Sequence, residues 1–130
     1  MRAITISMTD GRVVAGQAWA ATAIGERTRG WLGKASAQSG EAMLISPAAS
    51  IHSFGMRFNF DLAFLDKQGR VLKVCPEVAP GQVAFGPWRA WFTWQWLQAL
   101  ELPAGALKVH GIQVGQVLEI KDRHEGTGNA

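Results

Sequence analysis

The stretch Ile51 to Asp66, IHSFGMRFNFDLAFLD, constrains the fold more than any other part of the chain. Phe58, Phe60, Leu62 and Phe64 share one parity, and Arg57, Asn59, Asp61 and Ala63 share the other. That is the period of a strand with one buried face, and a strand so apolar belongs near the middle of a sheet. Asp66-Lys67-Gln68-Gly69 follows, with Asp first and Gly fourth, as a type I turn prefers. Arg70 to Cys75 then returns as a partner strand, so Phe60 to Cys75 reads as a hairpin.

The same reasoning organises the flanks. Ile4, Ile6 and Met8 alternate with Thr5 and Ser7 up to Asp10-Gly11, and Val13 to Ala21 resumes the apolar pattern as a second hairpin, with Trp19 read as a core residue. From Thr22 the period changes. Ile24, Thr28, Trp31, Leu32 and Ala35 recur at helical spacing, Thr22 suits an N-cap, and Gly33 or Gly40 suits an end, which predicts one main helix within residues 22–38. Arg27 and Arg29 project from its sides, and Gly30 marks where it lies against the sheet. Glu41 to Ile45 is a short strand closed by Ser46-Pro47.

Pro76, Pro80, Gly81, Gly86 and Pro87 break the periodicity between residues 76 and 87, which predicts a surface loop. Trp94, Trp96, Leu100 and Leu102 share one parity and read as a strand. Trp88 and Trp91 lie nearer the loop, and either pack in the core or present indoles for stacking. Gln116 to Lys121 reads as a final strand and residues 122–130 as a disordered tail, which leaves 1–121 as one globular domain. The fold class expected is therefore α+β: a compact domain of mostly antiparallel sheet, barrel-like or sandwich-like, with one main helix.

Composition removes several function classes. With 48% hydrophobic and 18% charged residues the chain is not of the disordered type, and its single cysteine, Cys75, cannot form an internal disulfide. No run is long enough to span a bilayer and the N-terminal residues lack a signal-peptide pattern, so the expectation is a cytoplasmic protein without a membrane span. Thirteen Lys and Arg against ten Asp and Glu give +3. These cations do not cluster beyond Arg27, Arg29 and Lys34, so nucleic acid is not the expected partner.

Four blocks in order carry a resemblance. They are Arg27-Thr28-Arg29-Gly30-Trp31-Leu32; Phe54-Gly55-Met56 with Phe60 to Asp66 and Gly69-Arg70-Val71; Leu100-Glu101-Leu102-Pro103-Ala104-Gly105; and Gly111-Ile112-Gln113-Val114-Gly115. Over roughly residues 15–121 the chain resembles the domain of unknown function 192 family. The resemblance implies a sheet-rich domain with one main helix, and it supplies no reaction. Gln116 stands where that family usually carries an acid.

Among the chemical candidates, His52 has the side chain suited to a general base or a metal ligand at neutral pH. No second His or Cys stands at a ligand spacing, which favours a structural histidine, and no metal is expected. His110 and His124 are weaker candidates. Cys75 has Glu77 close by, which opposes thiolate formation. No phosphate loop, nucleophile elbow or zinc motif occurs, so no cofactor is expected. Asp61 is either exposed on an open sheet face or buried with backbone amides or with Arg27 or Arg29 as partners. Two function classes follow. The favoured one is a non-catalytic module whose small ligand or protein partner meets the loop 76–91 and the polar groups near His52, with Arg27, Arg29, His52, Asp61, Trp88 and Trp91 as the ligand-binding candidates. The alternative is a small acid–base enzyme using His52, Asp61, Glu101 and an arginine on an anionic substrate.

Overall fold

A computed structural model describes residues 1–23, 25, 31–93 and 95–123. Its two firmest hairpins form where local turn chemistry demands them. Strands β1 (Arg2–Met8) and β2 (Val13–Ala21) pair antiparallel around Asp10-Gly11. Strands β5 (Phe60–Leu65) and β6 (Val71–Val78) pair antiparallel around Asp66 to Gly69. In that second turn Gly69 donates to the Asp66 carbonyl at 3.0 Å, and the Asp66 carboxylate accepts the N–H groups of Gln68 and Arg70, each at 2.9 Å. Gly69 has φ +89, and a Cβ there would collide with the carbonyl oxygen of Leu118, so both torsion and space require glycine.

Between these hairpins lie β3 (Glu41–Ile45) and β8 (Gln98–Pro103), and β9 (Leu118–Asp122) completes a seven-stranded sheet of order β6-β5-β8-β3-β2-β1-β9. The β2–β3 pair is parallel, with Gln17 opposite Glu41 and Ala21 opposite Ile45, so the sheet is mixed rather than purely antiparallel. The sheet curls until its edge strands meet. Arg70 forms a β-bridge with Val117, Val71 donates to Gln116 at 2.8 Å, and Leu118 donates to Gly69 at 2.9 Å.

A second sheet of two strands, β4 (Ser50–His52) and β7 (Val83–Phe85), lies outside the first. The stretch 51–66, read from the sequence as one element, is thus divided between two sheets, and the expected loop 76–87 contains the end of β6 and all of β7. Pro76 lies within β6, where an edge strand tolerates its missing donor.

Helix content is small. Trp88–Thr93 (α1) and Ala106–Val109 (α2) are short helices. Of the main helix expected within 22–38, residues 24 and 26–30, Arg27 and Arg29 among them, lie outside the described residues. Residues 31–38 are turn and irregular chain, so the expected element is not helical there. The predicted strand through Trp96 starts only at Gln98, because α1 occupies the preceding segment and Trp96 is exposed; Trp94 lies outside the described residues. Trp19 sits at the rim, with the Arg123 guanidinium 5.0 Å from its ring centroid, and not in the core.

The core has two parts, one on each face of the sheet. Ile4, Ile6, Leu44, Leu65, Leu100 and Leu102 fill the inside of the curl. Trp31, Met43, Met56, Phe60, Leu62 and Phe64 cover the outside of its middle strands, with Ile51 and Ala84 of the small sheet packed onto them. Every residue of β5 is consequently buried, which corrects the expectation of a strand with one open face. Arg57 and Asn59, which suggested a polar face, precede the strand.

Candidate functional site

The three acid–base candidates are not assembled into one site. In the β5–β8 pairing Asp61 stands opposite Leu102, and Leu62 stands opposite Glu101. Residues directly opposite in a ladder point to the same face and successive residues to opposite faces. Asp61 therefore points into the curl with Leu102, and Glu101 points outward with Leu62. His52 is exposed on β4 of the other sheet, its ring stacked on Phe54 with centroids 5.4 Å apart. Among the described residues no group of three His, Cys, Asp or Glu could hold a metal ion.

Asp61 is 1% exposed and its two carboxylate oxygens are committed to backbone amides. Oδ1 accepts the N–H of Glu77 at 2.9 Å, and Oδ2 accepts those of Gly105 at 3.1 Å and Leu107 at 2.9 Å. Both targets need such a partner. Phe60 pairs with Val78 and Leu62 with Cys75, so Pro76 and Glu77 together face Asp61 in a bulge, with Glu77 at φ +52. At α2 the N-cap is Gly105, which has no side chain to cap with, and Asp61 supplies that function from another strand. Of the two readings weighed for Asp61, the buried one with amide partners holds. A depression of about 420 Å³ lies beside it, lined in part by Pro76, Glu77 and Lys108. With its oxygens so engaged, Asp61 ties the β6 bulge and the start of α2 to β5.

Glu101 is 3% exposed, set among the apolar side chains on the outside of the sheet. Its carboxyl accepts the backbone N–H of Trp31, while Oε1 has no hydrogen-bond partner among the described residues. Burial pushes its pKa up to about 8, so the group is held neutral at neutral pH. Burial also raises the Cys75 thiol, which leaves it a poor nucleophile.

Trp88 and Trp91, in contrast, are 67% and 54% exposed. They stand on α1 beside the small sheet, whose two faces differ. Ile51 pairs with Ala84 and both pack onto the outer core. Ser50 pairs with Phe85 and His52 with Val83, and these four point away from it. The Phe54 ring stacks on His52, and the Phe85 ring lies 6.5 Å from that of Trp91 at 60°. An aromatic strip therefore runs from Phe54 through His52, Val83 and Phe85 to Trp91 and Trp88. The Arg89 guanidinium covers the Trp88 ring at 5.6 Å, and Lys73 Nζ donates to the Phe85 carbonyl at 2.8 Å. A cleft of about 390 Å³ borders Trp91 and is lined by Ala49, Ala90 and Gln95. Sequence reasoning reached the two indoles and His52 but missed Phe54, Val83 and Phe85. The alternation of Val83 and Phe85 between Gly81 and Gly86 was the available signal, in a segment too short to stand out.

Two solved structures share this fold. A Novosphingobium aromaticivorans DSM 12444 protein of unknown function is 22% identical, with a TM-score of 0.69 over 90% of this chain and 83% of that one. A Sinorhizobium meliloti 1021 protein named a "putative transcription regulator" is 19% identical, with a TM-score of 0.73 over 91% and 92% of the two chains. No curated protein matches the chain. Residues 5–120 match the profile of DUF192, described as uncharacterized ACR, and the chain belongs to this domain of unknown function 192 family.

Proposed function

We propose that this protein is a non-catalytic binding module whose ligand or partner meets the aromatic strip. The observation that carries the reading is the exposure of Trp88, Trp91, Phe85 and Phe54, each more than half open to solvent and grouped on one side of the small sheet. Scattered apolar residues are normal on a surface, whereas a contiguous aromatic patch marks an interaction site. Phe85, Trp88 and Trp91 are carried by hydrogen-bonded strand and helix, which limits the backbone entropy lost when they are covered. The acid–base alternative draws no such support, since Asp61, Glu101 and His52 occupy three separate environments. The probe 8-anilinonaphthalene-1-sulfonate, aromatic and anionic, matches the strip and its adjacent cations. It should fluoresce on binding the native protein and lose that signal in Trp88→Ala/Trp91→Ala with the thermal midpoint kept. Equal signal from the double variant would move the binding surface elsewhere.

A further inference from the structure

The two segments that carry the strip and its helix are bare of acids. No Asp or Glu occurs between Glu41 and Asp61 or between Glu77 and Glu101. Asp61 and Glu101, which bound these segments, are buried. Cations do touch the strip: the Arg89 guanidinium lies over Trp88, and Lys73 reaches the backbone of Phe85. The rings also project outward. Trp88, Trp91, Phe54 and Phe85 are 67%, 54%, 55% and 53% exposed, and Trp96 adds a further indole at 43%.

Indoles and phenyl rings beside Arg and Lys, without carboxylates, form the composition of a surface that rests in a lipid headgroup layer. Trp favours that layer because its ring is apolar and its N–H is polar, and anionic headgroups attract each nearby cation. A protein partner would have to offer a matching socket for every projecting ring. A headgroup layer receives them whatever their outline. On the strength of the binding reading above, we infer that the aromatic strip docks this protein peripherally on an anionic lipid surface. Trp88, Trp91 and Phe85 enter the interface, and Lys73 and Arg89 meet the headgroups. Docking of this kind inserts side chains from a folded face and needs no membrane-spanning element.

The test uses the full chain with vesicles of phosphatidylcholine, alone or with about one third phosphatidylglycerol. The protein should sediment with the anionic vesicles, its tryptophan emission should shift to the blue, and both effects should weaken as salt is raised. Binding should fall at least about tenfold in Trp88→Ala/Trp91→Ala and about fivefold in each of Lys73→Gln and Arg89→Gln. Since all four side chains lie at the surface, circular dichroism should show each variant folded. Equal binding to neutral vesicles would overturn the anionic assignment, and undiminished binding by the double tryptophan variant would reduce it to charge attraction alone. If the native protein binds the naphthalene probe through the strip and ignores both vesicle types, the lipid inference is wrong while the binding module stands, with a protein as its partner. Failure to bind probe and vesicles alike would sink both.

Discussion

Asp61 and Glu101 lie on neighbouring strands one residue out of step, and that single step places their carboxyl groups on opposite faces of the sheet. One is surrounded by backbone N–H groups, and the other, among the described residues, by hydrocarbon and the N–H of Trp31. The same functional group thus does different work on the two sides.

For Asp61 the expected result is structural. Asp61→Asn keeps the shape but turns one acceptor into a donor that faces amide hydrogens, with loss of charge-assisted bonds. Urea unfolding should show a loss of roughly 2–4 kcal/mol. A loss within about 0.5 kcal/mol, the range of ordinary surface changes, would show that the three amides do not depend on the carboxylate.

Glu101 predicts a pH dependence with a definite sign. The folded state holds this proton until about pH 8, whereas the unfolded chain releases it near 4.5. Between those values the folded state binds more protons, so this residue lowers stability as pH rises and its effect levels off above about 8. The change is on the order of 5 kcal/mol across the window. Glu101→Gln stays neutral, so the stability difference between it and the native protein should swing toward the variant as pH increases. A difference that stays flat from pH 5 to about 8.5 would contradict this account.

Trp88 and Trp91 should be nearly silent for stability. More than half of each is already in water, so the double Ala variant should lose no more than about 1 kcal/mol. Phe64→Ala, at a position that is 0% exposed, should cost about 3–5 kcal/mol. Comparable losses from the two variants would place the indoles in the core.

Gly69→Ala tests the turn that meets β9. The added Cβ combines a left-handed torsion with a collision at Leu118, so the cost should exceed the roughly 1 kcal/mol of the torsion alone. Amide exchange should quicken at Leu118 and Val71, whose N–H groups hold the closure. Unchanged exchange at both sites would mean the turn moves aside freely.

The parts of this fold that were legible in the sequence are those decided locally. Asp66 and Gly69 specify a turn within four positions, and Asp10-Gly11 another, so both hairpins could be read directly. Asp61 marks the limit. Its burial followed from its apolar neighbours, but its partners are 16, 44 and 46 residues away and no periodicity announces them. Parity misled at Trp96, because a shared parity with Leu100 does not say where a strand begins. The parallel β2–β3 pairing was hidden for a related reason, since pairing partners are chosen by the whole sheet. Phe85, and Phe54 through its stacking on His52, joined the indoles only once β4 and β7 were seen to pair.

Strand β1 lies between β2 and β9, so the first described strand finds its second neighbour in the last described one. During synthesis β1 can zip onto β2 early, but its other edge stays open until residues 118–122 have left the ribosome. The meeting of the two sheet edges at Arg70 and Val117 waits for the same event. Until that event the nascent chain carries β1 with one edge unpaired, and a ribosome stalled before it would display an edge suited to pairing with other chains.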